Sequence, residues 1–178
     1  MNTLETIFSR KSIRSYTGES ITEEQLNTIL KAAIASPIGM GKYEDVHLTV
    51  ITNPELLNEI DAECAALFNN PDMHPLYNAP MLILVSAKMP DVRAMENVSY
   101  SNAAIIVQNM ALAATELGIG SCHIWGAIRS LLNAPQILEK LNLPEGFTAC
   151  CGIILGKTDS TYEEREIPMD RISMNTIK

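Results

Sequence analysis

The spacing of apolar and polar positions divides the chain into helical and strand-like stretches. A capping-box pattern at Thr22 and Gln25 begins a helix that must end before Pro37, because the residue before a proline avoids helical backbone angles. Residues 97–117 are apolar on most sides, which predicts a long helix in the core or at a subunit interface. Further helices are predicted around Leu4 and Phe8, at 54–68 and at 128–141, and strands at 46–52, 81–87 and 147–155.

The order of these elements indicates the fold class. Helices and strands are mixed without regular βαβ alternation, and two helices precede the first strand. We therefore predict an α+β fold with a central sheet, formed as one domain over residues 1–178. The sequence has neither a GxGxxG segment after a strand nor a GxxxxGK[ST] segment, so it supports neither a Rossmann dinucleotide site nor a P-loop. The residues after about 157 have little apolar periodicity and should form an extended tail.

Composition and charge exclude several classes of function. The net charge is -8 with only 13 Lys and Arg, so a nucleic-acid partner is not expected. No apolar run reaches membrane-spanning length and the N-terminus lacks a secretory pattern, so we expect a cytoplasmic protein with no membrane partner. The four Cys and three His show no metal-ligand spacing, and no metal site is expected. Cys150 and Cys151 are adjacent in a predicted strand, which should point their side chains to opposite faces.

A basic cluster, Arg10-Lys11-Ser12-Ile13-Arg14, stands out in this acidic chain. Like charges so close together repel one another, and a bound anion would relieve that repulsion. Guanidinium groups suit phosphate oxygens, and the serine hydroxyl can add a hydrogen bond. The cluster is equally compatible with a phosphate-bearing cofactor and with a solvated charged turn.

Three separated motifs together resemble the nitroreductase family of FMN-dependent oxidoreductases. The first is the RKSIRSY segment at 10–16, and the second is the QNMALAATELGIGSC segment at 108–122. The third is the REIPMDRI segment at 165–172. The resemblance implies a central, mostly antiparallel sheet flanked by helices. It also implies a homodimer whose C-terminal tails cross to the partner subunit, with the helix at 97–117 as the candidate seam.

The resemblance further implies an FMN site. Arg10, Lys11, Ser12 and Arg14 would hold the phosphate and ribityl chain, and Arg165 would reach back toward the phosphate, often from the other subunit. The backbone of Ile124, Trp125 and Gly126 would contact the flavin ring, although Trp125 is equally compatible with a core tryptophan. Pro37, Ile38 and Met40 would supply backbone and apolar contacts to the isoalloxazine. The Asn and Gln that many relatives carry in this loop are absent at 37–45, so the edge of the ring must be recognised differently.

The expected activity follows from this resemblance. An enzyme of this type passes a hydride from NADH or NADPH through flavin N5 to a small acceptor in a ping-pong cycle. Nitroaromatics, quinones and enones would all suit the flat apolar pocket. We assign no catalytic side chain, because the redox chemistry belongs to the cofactor. The alternative is an FMN reservoir or sensor without NAD(P)H turnover, which the altered loop at 37–45 keeps open.

Overall fold

The computed structural model describes residues 1–178, apart from the side chain of Ala94. The helices are α1 (Thr3–Ser9), α2 (Glu23–Ile34), α3 (Pro54–Leu67), α4 (Glu96–Glu116), α5 (Gly126–Leu131) and α6 (Pro135–Lys140). The strands are β1 (Val46–Ile51), β2 (Met81–Lys88), β3 (Gly120–Ile124) and β4 (Phe147–Gly156). Short 3-10 turns lie at Gly39–Gly41, Tyr43–Asp45 and Arg93–Met95.

The four strands form one antiparallel sheet in the order β1-β2-β4-β3. β2 and β4 occupy the centre, which explains why their sequences are nearly continuous runs of apolar residues. The predicted α+β class and the mostly antiparallel sheet are confirmed. β1 and β3 form opposite edges, separated by three strand spacings of about 4.8 Å, or about 14 Å in all.

Helices cover both faces of the sheet. On one face, α3, α5 and α6 pack against alternate residues of the central strands, including Leu82, Leu84 and Ile154. On the other face, α2 and α4 pack against the intervening residues, including Ile83 and Ile153. Successive side chains of β2 and β4 point to opposite faces of the sheet, so the same two strands contribute to the hydrophobic core on each face.

Two boundaries differ from the sequence prediction. The single helix predicted at 128–141 is two helices, because Pro135 lacks an amide hydrogen and begins α6 after the turn at Asn133 and Ala134. The segment after α4, for which no strand was predicted, contains the edge strand β3. Its five residues are too few to show an alternating pattern, and its pairing depends on β4, far along the chain.

The adjacent cysteines also correct a prediction. The pairing of β2 with β4 shifts register between Val85 and Ser86, so that Cys150 is the extra residue of a β-bulge. Cys150 is buried in the core beneath α4, and Cys151 packs against the same core. The expected placement on opposite faces is therefore wrong, because a bulge interrupts the alternation of a strand.

Several apolar side chains on two helices stay exposed within one chain. In α1 the buried residues are Thr6 and Ser9, and the Thr6 hydroxyl donates a 2.7 Å hydrogen bond to Glu116, whereas Leu4 is 60% exposed. In α4 the core takes one side of the helix, while Ala104 and Ile105 face outward. This chain alone therefore covers neither helix completely.

The tail divides into two parts. Tyr162 donates its hydroxyl hydrogen to the carbonyl of Ile119 at 2.7 Å, and Arg165 Nε donates to the carbonyl of Phe8 at 2.9 Å. Beyond Glu166 the side chains are exposed and the backbone forms no helix or strand. Whether this second part crosses to a partner subunit stays a prediction. Within the described residues, no helix combines the length and apolar character needed to span a membrane.

Candidate functional site

The segment that carries the basic cluster is fixed along the free edge of β3. The amide of Ile13 donates to the carbonyl of Ser121 at 2.8 Å, and the amide of Thr17 donates to the carbonyl of Lys157 at 3.0 Å. Ile13 is buried, and Gly120 permits its close approach, since a Cβ at Gly120 would lie 3.1 Å from the Ile13 side chain. This anchoring gives the flanking residues Lys11, Ser12 and Arg14 defined positions on the surface.

Arg165 from the tail joins this cluster in the same chain. Its bond to the carbonyl of Phe8 brings its guanidinium within electrostatic range of Arg10. Burial and then the neighbouring Arg165 lower the pKa of Arg10. None of the ion pairs among the described side chains includes Arg10, Lys11, Arg14 or Arg165. The cluster is thus a concentration of positive charge without an internal counter-ion, as an anion site requires.

The titratable groups around the basic cluster do not cancel its charge. Burial raises the pKa of Tyr16, whose hydroxyl donates to the carbonyl of Ile13 at 2.8 Å. Burial also raises the pKa of Tyr162. His123 is exposed at the surface, and partial desolvation by its neighbours, followed by the positive charge of Arg10, lowers its pKa. Two phenols and an imidazole therefore stay neutral at neutral pH and leave the positive potential for a ligand.

Arg14 contacts a turn that precedes β2. Its Cζ lies 5.7 Å from the ring centroid of Tyr77, which is a cation–π contact. Tyr77 and Asn78 both have left-handed backbone conformations, with φ of 51° and 57°. Asp61 holds this turn, accepting a 2.7 Å hydrogen bond from the amide of Leu76. A bulky residue in the left-handed region is strained, and such strain is concentrated at functional sites.

The stretch 124–126 lies where β3 ends and α5 begins. Ile124 is buried, Trp125 is 58% exposed, and Gly126 is the first residue of α5. The guanidinium of Arg129 lies 5.4 Å from the centroid of the Trp125 ring. The interpretation of Trp125 as a core tryptophan is therefore wrong. Because β3 is the strand against which the basic segment is fixed, this stretch and the cluster share one edge of the sheet.

The loop at 37–42 lies at a different place. The amide of Gly39 donates to Asn102 Oδ1 at 3.0 Å, so the loop is attached to the N-terminal half of α4. It leads into β1, at the opposite edge of the sheet from β3. Met40 is 71% exposed with a φ of 58°. Within one chain, the structure thus does not bring Pro37, Ile38 and Met40 together with the arginine cluster.

Sequence reasoning missed several residues of this site. Tyr162 and His123 interact with Arg10 from distant parts of the chain, and Tyr16 interacts with Arg14 and Tyr162. Tyr77 lies in a segment rich in Asn and Pro, and this composition indicates a turn without pointing to any particular residue. The aromatic residue at the end of the RKSIRSY segment was the one available signal, because it directly follows the basic cluster.

The comparisons with known proteins establish the family. The profile of the family described as "Nitroreductase family" matches residues 7–157, and the chain therefore belongs to the nitroreductase family. It is 31% identical over 172 residues to the NADPH-flavin oxidoreductase of Vibrio harveyi, covering 91% of this chain and 68% of that protein. It is 27% identical over 172 residues to the FMN reductase (NADPH) of Bacillus subtilis, covering 87% and 65%. The chain thus spans about two thirds of the length of these two relatives.

Solved structures show the same fold. A nitroreductase with bound FMN from Desulfitobacterium hafniense superimposes with a TM-score of 0.83 at 26% identity, covering 99% of this chain and 100% of that one. A nitroreductase with bound FMN from Bacteroides fragilis gives a TM-score of 0.80 at 29% identity, with the same coverage. The sheet and helices described above are therefore those of the nitroreductase fold.

Proposed function

We propose that this protein is an FMN-dependent oxidoreductase that transfers electrons from NADH or NADPH to a small acceptor. The observation that carries the proposal is the basic cluster that Arg165 joins to Arg10. The cluster concentrates positive charge without an internal counter-ion, in a chain of the nitroreductase family. The names of its relatives support the same activity, since two of them are an NADPH-flavin oxidoreductase and an NADPH-dependent FMN reductase.

The donor groups at the cluster suit a single terminal phosphate. Two guanidinium groups, the Lys11 ammonium and the Ser12 hydroxyl are available, and phosphate prefers this kind of donor set. The sequence lacks the glycine-rich fingerprint that binds a pyrophosphate, so FMN fits better than FAD. Arg10, Lys11, Ser12 and Arg165 would hold the phosphate.

The remaining residues would orient the ring. The backbone at Ile124, Trp125 and Gly126 lies along the same sheet edge as the basic cluster and would contact the isoalloxazine. Arg14 and Tyr77 would border the ribityl chain. Redox chemistry would come from the flavin, which can take two electrons from a reduced nicotinamide and give them to an acceptor. Donor and acceptor would occupy the same open site in turn, and the kinetics would then be ping-pong.

The predicted cofactor-binding residues lie in two separate places within one chain, and this separation supports a homodimer. Pro37, Ile38 and Met40 lie at the other edge of the sheet from the cluster, so in one chain they would not line the same cofactor. Two copies packed through the exposed side of α4 would bring the loop of one to the cluster of the other. Each dimer would then have two equivalent sites.

The test is the flavin content and its reduction. The purified protein should contain FMN, about one per chain, identified after denaturation. Anaerobic addition of NADPH or NADH should bleach the flavin absorbance, and a nitroaromatic or quinone should restore it. Bound FMN that neither nucleotide bleaches would favour the reservoir or sensor alternative. Finding FAD, or a protein that ignores added FMN, would remove the proposal.

A further inference from the structure

A pocket opens where the edge of β4 is unpaired. In the part of the chain that the structure describes, β3 pairs with β4 only from Gly152 to Gly156, which leaves the first half of β4 open on that side. A cavity of about 480 Å³ lies there, between α4 and α5. Its size is within the range of small-molecule sites. Its walls are formed by Tyr100, Trp125, Arg129, Leu132 and Asn133.

The walls combine large apolar surfaces with little burial. Tyr100 is 43% exposed, Trp125 58% and Leu132 48%. Within one chain, three such side chains around one cavity form an apolar patch that is unfavourable to expose to water, and a ligand that covers the patch would remove that cost. Two of them are aromatic, and aromatic rings pack favourably against other flat rings in offset or edge-to-face geometry. The pocket therefore suits a flat aromatic molecule.

The pocket also carries one uncompensated positive charge. The amide of Arg129 donates to the carbonyl of Trp125 at 2.9 Å, and this helical turn places both side chains on the same face of α5. None of the ion pairs among the described residues includes Arg129, and none of the described lining residues is a carboxylate. Burial raises the pKa of the Cys150 thiol, at the back of the pocket, to about 11, so it stays neutral.

The location of the pocket connects it to the proposed flavin site. Trp125 lines the pocket with its side chain and belongs to the stretch 124–126, whose backbone we assign to the flavin ring. We propose that this pocket is the acceptor subsite, and that it selects flat aromatic molecules bearing a carboxylate. The aromatic ring packs on Trp125 and the carboxylate pairs with Arg129. That the ligand is an acceptor rests on the proposed function, whereas the preference for an aromatic carboxylate does not.

The protein provides its own probe of this pocket. Trp125 is the single tryptophan of the chain, so tryptophan fluorescence reports on this site alone. Titration of the full-length protein as purified with 4-nitrobenzoate and with 4-nitrobenzamide compares two molecules of nearly the same shape that differ in charge. Both should quench Trp125, and the carboxylate should bind about tenfold more tightly, because its bond to a guanidinium is charge-assisted. Equal affinities, or no quenching by either probe because a partner segment fills the pocket, would overturn the proposal.

Ionic strength gives a second measurement that needs no variant. If the preference for 4-nitrobenzoate over 4-nitrobenzamide arises from one charged pair at a solvent-accessible site, the ratio of the two affinities should fall as the salt concentration is raised. A preference for the carboxylate that salt leaves unchanged would contradict the assignment to Arg129.

A matched pair of variants tests the residue itself. Arg129→Gln should bind the two probes with nearly equal affinity. Lys31→Gln, which removes the same charge from the exposed side of α2, should keep the wild-type preference. If Arg129→Gln still binds 4-nitrobenzoate more tightly than 4-nitrobenzamide, the result would contradict the proposal.

Flavin content and NAD(P)H bleaching, measured on the same samples, separate the two hypotheses. A protein that binds and reduces FMN but treats both probes alike contradicts only the pocket assignment. A protein that ignores FMN yet prefers the carboxylate contradicts only the proposed function.

Discussion

Arg165 Nε donates to the carbonyl of Phe8 at 2.9 Å, and this bond brings the charge of Arg165 within electrostatic range of Arg10, near the other end of the chain. Two like charges near a partly buried position destabilise the folded chain unless an anion binds between them. Burial first and repulsion by Arg165 second lower the pKa of Arg10, and a bound phosphate would counteract that repulsion. This pair is the physical basis of the proposed cofactor site.

The strained turn at Tyr77 leads to a first prediction. Tyr77→Gly and Tyr77→Ala remove the same contact with Arg14, but only glycine adopts the left-handed backbone without strain. We expect the glycine variant to be more stable than the alanine variant by about 1 kcal/mol in chemical denaturation. Both variants should bind FMN more weakly than wild type, since Arg14 loses its aromatic partner. An alanine variant as stable as the glycine variant would show that the turn relaxes to another conformation.

The exposed side of α4 leads to a prediction about assembly. Ala104→Glu places a charge where two copies of the chain are proposed to meet, and burying an unpaired charge is costly. We expect this variant to be monomeric by light scattering and to lose most of its flavin. Ala62→Glu makes the same change on the exposed side of α3 and should remain dimeric and yellow. A flavin-loaded, active monomer of the wild type would contradict the shared site.

The two parts of the tail can be separated by truncation. A chain ending at Lys157 lacks Tyr162 and Arg165, and should lose both FMN and dimer stability. A chain ending at Glu166 keeps both side chains and their bonds to Ile119 and Phe8. At protein concentrations that maintain the dimer, we expect it to retain FMN, with a weaker dimer measured by sedimentation. If the chain that ends at Glu166 forms a dimer as stable as the wild-type dimer, residues 167–178 do not contribute to the interface.

His123 should make the flavin-free protein sensitive to mild acid. Its pKa in the folded state is below the usual 6.5, first because its neighbours partly desolvate the ring and then because of Arg10. Below about pH 6.5 the unfolded chain therefore binds more protons than the folded chain, and stability is lost as the pH falls through this window. His123→Gln should show a smaller loss of thermal stability between about pH 7 and about pH 5 than wild type. The same pH dependence in both proteins would count against this role for His123.

The sequence predicted local features well and long-range ones poorly. The α2 capping box and the strands β2 and β4 depend on neighbouring residues, so their patterns were sufficient. β3 exists because β4 pairs with it, and the bulge at Cys150 depends on the register between two strands. No pattern within either segment contains that information.

The candidate site shows the same contrast between local features, which the sequence predicted, and long-range features, which it did not. The basic cluster was visible because its members are consecutive in the chain, and the closing motif indicated Arg165. The exposure of Trp125 and the left-handed turn at Tyr77 are consequences of tertiary packing. The separation of the loop at 37–42 from the arginines became evident only when the strand order placed β1 and β3 at opposite edges.

Comparison of FMN with riboflavin, which lacks the phosphate, tests the central claim most directly. Flavin-free protein should bind FMN at least about 100-fold more tightly than riboflavin, because two or more charge-assisted hydrogen bonds of about 1.5–3 kcal/mol each depend on the phosphate. Arg10→Gln and Arg165→Gln should each weaken FMN binding by about tenfold to 100-fold and leave riboflavin binding nearly unchanged, whereas Lys31→Gln should affect neither ligand. Equal affinities of wild type for FMN and riboflavin would contradict the account.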